Sequence, residues 1–298
     1  QFSGCIIDIY LLPIVCILGL LLNIACLIVF LIRRDHPLVP SLIVLSLCDS
    51  LQLFLSLLVL LLPAIHEYSQ ADRFSTLGQC AYIVTGALSP LLLASNCASI
   101  WTMCFIAIRR HYVISRPLHS IASPPSNIIP LSTIAICALL FNASKWAEFR
   151  WFWYSDPSTK RYVLIHEYSQ LANNAFYILV REKLLYPICV YFLPLVIISV
   201  LNLRILSILN RERVGNESRN LAKEKRSIRL LTSVVVLFFL CHTGGLLIRI
   251  YADEQQYSER FILAKDVVNL LFNINSLANP MLYFLFTRHF KDLRVSVN

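Results

Sequence analysis

One carboxylate sets the problem. Asp49 lies within residues 37–66, a stretch otherwise free of acidic residues, lysine and arginine. A carboxylate held among leucines needs a proton, a cation or several hydrogen-bond donors, because an unpaired charge taken out of water is costly. Candidate partners occur in other apolar runs: Asn23 in the first, Asn96 and Ser99 in the third, and Asn273, Asn275, Ser276 and Asn279, followed by Pro280, in the last. For one acid to meet them, several separate segments must converge.

The elements that would carry these residues are helices in lipid. The 298 residues are 57% hydrophobic and only 14% charged, against about 45–50% and 25% in soluble domains. A spanning helix needs about 20 apolar residues, and seven runs of sufficient length are present, at residues 9–32, 37–66, 74–108, 120–144, 184–203, 230–248 and 267–287. They are continuously apolar and do not alternate, which selects helices over a barrel. The expected fold is an all-α membrane protein, a seven-transmembrane helix bundle forming one receptor-sized domain over residues 1–298. Its helices are expected at about 6–32, 38–63, 80–108, 128–146, 184–208, 227–250 and 263–286, where unbroken apolar stretches can span lipid. A short amphipathic eighth helix at 288–296 would lie on the inner surface, since Phe286, Phe290 and Leu293 share one face.

With the N-terminus outside, the inner segments carry 16 Lys/Arg against 5 Asp/Glu and the outer ones 10 against 11. That asymmetry fits the rule that cytoplasmic loops keep the cations. The net charge of +9 therefore reports topology, and nucleic acid is not implied as a partner. The expected location is the plasma membrane, multi-pass, in contact with the lipid bilayer. The outer loop 147–183 holds Trp151, Trp153, Tyr154, Tyr162, Tyr168 and Tyr177, an aromatic content that suits a folded lid. The chain begins at Gln1 without a leader and ends soon after the last run, as expected of a sequence trimmed to its membrane domain.

Enzymatic chemistry finds no support: there is no His-Glu-x-x-His, no paired intramembrane acid, and the seven histidines are scattered. No internal repeat argues for a transporter. Eight of the ten cysteines lie inside apolar runs and read as small core residues. Cys5 and Cys80, near the outer side, could pair with each other.

The motifs resemble those of rhodopsin-like (class A) G-protein-coupled receptors over essentially the whole chain. Asn279-Pro280-Met281-Leu282-Tyr283 matches the Asn-Pro-x-x-Tyr motif of helix 7, Leu47-Cys48-Asp49 fits the helix 2 aspartate, Asn23 the helix 1 asparagine and Pro194 the helix 5 proline. The resemblance implies that Asp49, Ser99, Asn275 and Ser276 line a sodium pocket; no other cofactor is expected. Counting back from Pro117-Leu118 puts Arg110 in the place of the Asp-Arg-Tyr arginine, with Arg109 replacing the acid and His111 the tyrosine. Two adjacent guanidinium groups repel, so the resemblance points to Glu224 on helix 6 as the acid that restrains Arg110.

Helix 6 reads Phe238-Phe239-Leu240-Cys241-His242-Thr243-Gly244, like the Cys-Trp-x-Pro hinge with His242 for tryptophan and Gly244 for proline. The implied activation switch is Asn23, Arg110, Glu224, Phe238, Cys241, His242, Asn279, Pro280 and Tyr283. Implied contacts to a heterotrimeric G protein are Arg110, Pro117, Leu118, Lys223 and Arg226. Asn142-Ala143-Ser144-Lys145-Trp146-Ala147-Glu148 resembles, in degraded form, a stretch of invertebrate FMRFamide-type neuropeptide receptors.

The place of the helix 3 aspartate of amine receptors is Leu92, and that of the retinal-binding lysine is Asn273, so neither an amine nor retinal is expected. An amidated peptide ending in Arg-Phe would need a carboxylate and aromatic surface; Glu148, Glu67, Asp253 and Glu254 are the candidate acids, with Trp146 and Trp151 (and Tyr168) the candidate aromatics. The expected function is a receptor binding an extracellular ligand, an amidated neuropeptide, and activating an intracellular G protein. The alternatives are a chemosensory receptor for a small lipophilic molecule and, from another class, a membrane transporter or channel.

Overall fold

A computed structural model describes residues 4, 6–32, 38–69, 72, 75–115, 127–155, 162–213, 221–255 and 258–286, with 209–213, 221–231, 252–255 and 283–286 described by backbone alone. Seven helices within it are long and apolar enough to cross a membrane. Helix α1 is Ile6–Ile32 and α2 Val39–Tyr68; α3 is Thr76–Ser115; α4 is Ile128–Ala143, closed by a 3-10 turn Trp146–Glu148. A hairpin of β1, Phe149–Ser155, and β2, Tyr162–Tyr168, follows. The chain then forms α5, from Ala175 to Arg213, α6, Leu221–Gln255, and α7, Glu259–Phe286.

These helices outrun the apolar stretches that foretell them. Helix α5 starts at Ala175 and takes in Arg181, Glu182 and Lys183, where the apolar run begins only at 184. The extra turns are possible because neighbouring helices pair Arg181 and Glu182, so the backbone need not stop where the lipid-compatible residues do. Wide helical turns at Leu57–Leu61, Ile178–Leu185 and Pro187–Phe192 adjoin Pro63 and Pro187, where a missing N–H loosens the ladder. The eighth helix expected at 288–296 lies outside the described residues.

Helix α3 is the axis of the bundle. It packs against α2, α4 and α5, and its middle is buried on all sides by mostly small groups, Ala94, Ser95, Asn96, Cys97, Ala98 and Ser99, which let neighbouring backbones come close. The core around it joins Leu45 of α2, Ala138 of α4, Tyr186, Val190 and Ile198 of α5 and Phe238 of α6. Large apolar side chains such as Ile14, Leu18, Leu21, Phe54, Leu140 and Leu203 point outward, as lipid requires and water would not.

The expected lid is a two-stranded antiparallel hairpin, in register from Phe149 opposite Tyr168 to Ser155 opposite Tyr162. One of its faces docks on the N-terminal part of α3. Trp151 and His166, paired across the strands, pack with tilted rings whose centroids are 4.9 Å apart, and His166 lies 4.1 Å from the ring of Tyr82 on α3. Tyr82 also donates its hydroxyl to the His166 carbonyl at 3.1 Å. Gly86 makes the docking possible: a Cβ there would stand 2.7 Å from the Trp151 ring.

Candidate functional site

Asp49 is fully buried, and three helices meet at it. Ser99 of α3 donates to Oδ1 at 2.6 Å and Asn279 of α7 donates Nδ2 to Oδ2 at 2.8 Å. Charge-assisted hydrogen bonds of this kind are the strong ones, and they compensate a carboxylate that water cannot reach. Around them a second set ties the backbones. Asn23 of α1 donates to the carbonyls of Gly19, at 2.9 Å, and Ser276, at 3.1 Å, and so binds α1 to α7. Gln52 of α2 donates to the Phe272 carbonyl at 3.2 Å.

Asn275 and Ser276 are equally buried; Asn275 Oδ1 makes no hydrogen bond, while the Ser276 side chain faces Asp49. Buried polar atoms rarely go unsatisfied. A buried amide oxygen left free on the same helix as Asn279, beside a carboxylate and hydroxyls, is the donor chemistry that a small hard cation takes. The residues expected to line a sodium pocket thus fit one.

Outward from Asp49 lies an aromatic stack. Phe238, fully buried on α6, has its ring 4.5 Å from His242, which in turn lies 5.2 Å from Phe272 of α7, while Tyr191 of α5 stacks on Phe238 at 6.3 Å. Cys241 is buried beside them and Pro280 lies inside α7. Near the C-terminal end of α3, Arg109 is the buried guanidinium and Arg110 the partly exposed one. The side chains of Glu224, Lys223, Arg226 and Tyr283, and all of Pro117 and Leu118, lie outside the described residues, so the Arg110–Glu224 pair does too.

The half of the bundle that carries the hairpin holds an ionic network that sequence reasoning missed. Glu148 accepts from Lys145 Nζ at 2.8 Å and from the Tyr177 hydroxyl at 2.7 Å. Lys145 also reaches Glu182 of α5 at 2.6 Å, and Glu182 pairs with Arg249 of α6, whose guanidinium lies 3.5 Å above the Tyr186 ring. Arg181, buried, donates to the Phe141 carbonyl at 3.0 Å and to Asn142 Oδ1 at 3.1 Å. Of the candidate ligand acids, Glu148 is therefore bound within the chain and Glu67 is exposed at the outer end of α2. The side chains of Asp253 and Glu254 lie outside the described residues. Trp146 donates to the Ala87 carbonyl at 2.9 Å, and Trp151 is the hairpin's anchor on α3.

The signal for Arg181, Glu182 and Arg249 was present as charges flanking apolar runs, but such charges usually mark only where a helix leaves the lipid. Cys80 carries a free, exposed thiol, and Cys5 lies outside the described residues, so the structure describes no bridge between them.

A family model described as 7 transmembrane receptor (rhodopsin family) matches residues 22–283. A Drosophila melanogaster protein described as FMRFamide receptor is 27% identical over 292 residues, which cover 95% of this chain and 52% of that protein. The chain thus spans about half the length of this curated relative.

Proposed function

Since the family match covers most of its length, the chain belongs to the rhodopsin family of seven-transmembrane receptors, and on that premise we propose that it binds an extracellular amidated neuropeptide and activates a heterotrimeric G protein. The plasma membrane is its site of action, with the N-terminus outside in keeping with the excess of Lys and Arg on the inner segments. The observation that carries the reading is the Asp49 centre. One acid, held by Ser99 and Asn279, links α2, α3 and α7, and the His242–Phe272 ring contact joins α6 to α7, the elements whose relative movement would carry a signal inward. A bundle with two packings of similar energy is driven from one to the other by a ligand that prefers the second. The relative described as an FMRFamide receptor supports the ligand class.

A screen of amidated peptides on cells reporting G-protein activation tests the reading, and silence across the library would defeat it. Arg110→Ala is expected to abolish coupling while ligand binding stays within about twofold, a difference of less than half a kcal/mol. Coupling that survives would remove Arg110 from its role.

The same centre is proposed to hold sodium, with Asp49, Ser99, Asn275 and Ser276 as its oxygen donors. The ion would supply a counter-charge to Asp49. Agonist affinity is then expected to fall as sodium replaces a bulky organic cation at constant ionic strength, and Asp49→Asn to erase the dependence; equal affinities in the two salts for the unsubstituted receptor would reject the ion. A second reading, a small lipophilic ligand, has less support, because the apolar cleft between α5, α6 and α7 lined by Pro187, Val190, Leu246 and Phe272 has room for only about one water molecule. The same reporter cells exposed to lipophilic compounds separate the two.

A further inference from the structure

The turn that leads into the hairpin is fastened at both of its ends. Trp146 ties its start to the Ala87 carbonyl of α3. Its last residue belongs to the strands: Ser169, just past β2, donates its N–H to the Glu148 carbonyl at 2.8 Å and its hydroxyl to the Ala147 carbonyl at 2.7 Å. A displacement of the hairpin therefore falls on Glu148.

The two acids of the ionic network are each served before Lys145 is counted. Glu148 accepts from the Tyr177 hydroxyl at 2.7 Å, and Glu182 of α5 is paired with Arg249 of α6. Lys145 nonetheless stands between them, its ammonium 2.8 Å from Glu148 Oε1 and 2.6 Å from Glu182 Oε1. Among the described residues no other cation pairs with both. A lysine resting on one accessible acid contributes little, but one shared by two acids of different elements makes their positions depend on each other. The route from the lid to α6 is short: Ser169, Glu148, Lys145, Glu182, Arg249.

We propose that Lys145 couples the hairpin to α6, so that displacing the hairpin from α3 loosens the C-terminal turns of α6 and displacing α6 loosens the hairpin. The two arrangements are Lys145 held by both acids or by one, which is the switching element that coupling between distant sites requires. Coupling of this kind is reciprocal in free energy. The device is independent of the ligand; its use, passing contact at the lid to a moving helix, rests on the receptor reading above.

The test is hydrogen exchange on the purified full chain in detergent, without ligand. Gly86→Ala pushes the hairpin off α3, because the added Cβ would stand 2.7 Å from the Trp151 ring and 3.1 Å from His166 Nδ1. Exchange is expected to accelerate in β2 and also, by about fivefold, at residues 246–251 of α6, a coupling at the weak end of the usual range. In a Lys145→Met background β2 should still respond, while α6 changes by less than about twofold, the margin within which independent substitutions add. Tyr177→Phe removes the other bond to Glu148 and spares Lys145, so the coupling should persist in it. In the reverse direction, Arg249→Met should accelerate exchange in β2 only while Lys145 is present.

An α6 response that is absent, or that survives Lys145→Met, would overturn the inference, as would loss of coupling in Tyr177→Phe. Unchanged exchange of β2 in Gly86→Ala would overturn it too, because the docking from which the route starts would not be holding the hairpin. Glu148→Gln cuts the same route at its other end and keeps an acceptor for Tyr177, so the outcome does not hang on the folding of one variant. A silent peptide screen leaves the coupling standing, and uncoupled exchange leaves the peptide reading standing.

Discussion

His166 shows how much a single side chain can decide. Enclosed by Tyr82, Phe149 and Trp151, its imidazole is pushed below its ordinary pKa because burial penalises the charged form. The folded hairpin therefore binds fewer protons than the undocked one. Its docking is fully stabilised above the ordinary histidine value, about 6.5, and weakens as pH falls from there toward the lowered value. Amide exchange in β2, corrected for intrinsic rates, is expected to accelerate on acidification from pH 7.5 to 5.5. His166→Phe is expected to flatten that response; an unchanged pH profile in the variant would assign the effect to another group.

At the scale of elements, the outer network acts as a strut. Lys145 beyond α4, Glu182 on α5 and Arg249 on α6 meet at one carboxylate, so the outer ends of three helices are held by a group that belongs to one of them. Removing that carboxylate leaves Arg249 without its acid in a poorly hydrated place, while Lys145 keeps Glu148. Glu182→Gln is expected to cost about 2–3 kcal/mol, toward the lower end for a broken buried pair because these side chains remain partly hydrated. The double variant Glu182→Leu with Arg249→Leu should cost less than the single one. Thermal melting of the three proteins checks the order, and a single variant as stable as its parent would mean that water already screens the pair.

Across the whole molecule, what was legible in the sequence is what lipid enforces. A spanning backbone must satisfy its own hydrogen bonds behind an apolar surface, so the seven helices follow from seven uncharged runs, and Asp49, conspicuous among leucines, points to its own partners Ser99 and Asn279. Arg181, Glu182 and Arg249 stayed hidden because a charge at the end of an apolar run looks the same whether it is solvated or paired with a neighbouring helix. The hairpin stayed hidden for a different reason. Trp151 and the tyrosines around it declare a packed lid by their chemistry, but the docking on His166 and the notch left by Gly86 on a separate helix is stated by no local pattern.

That notch has a practical corollary. Residues 147–183 contain no cysteine, so the entrance is fastened by ring stacking and shape, forces indifferent to thiol chemistry. Ligand affinity measured with and without millimolar dithiothreitol should coincide, and a drop on reduction would reveal a covalent tie elsewhere. Ring contacts also weaken on cooling, as apolar association does, so the fastening would slacken in the cold and hold equally well in oxidising and reducing surroundings.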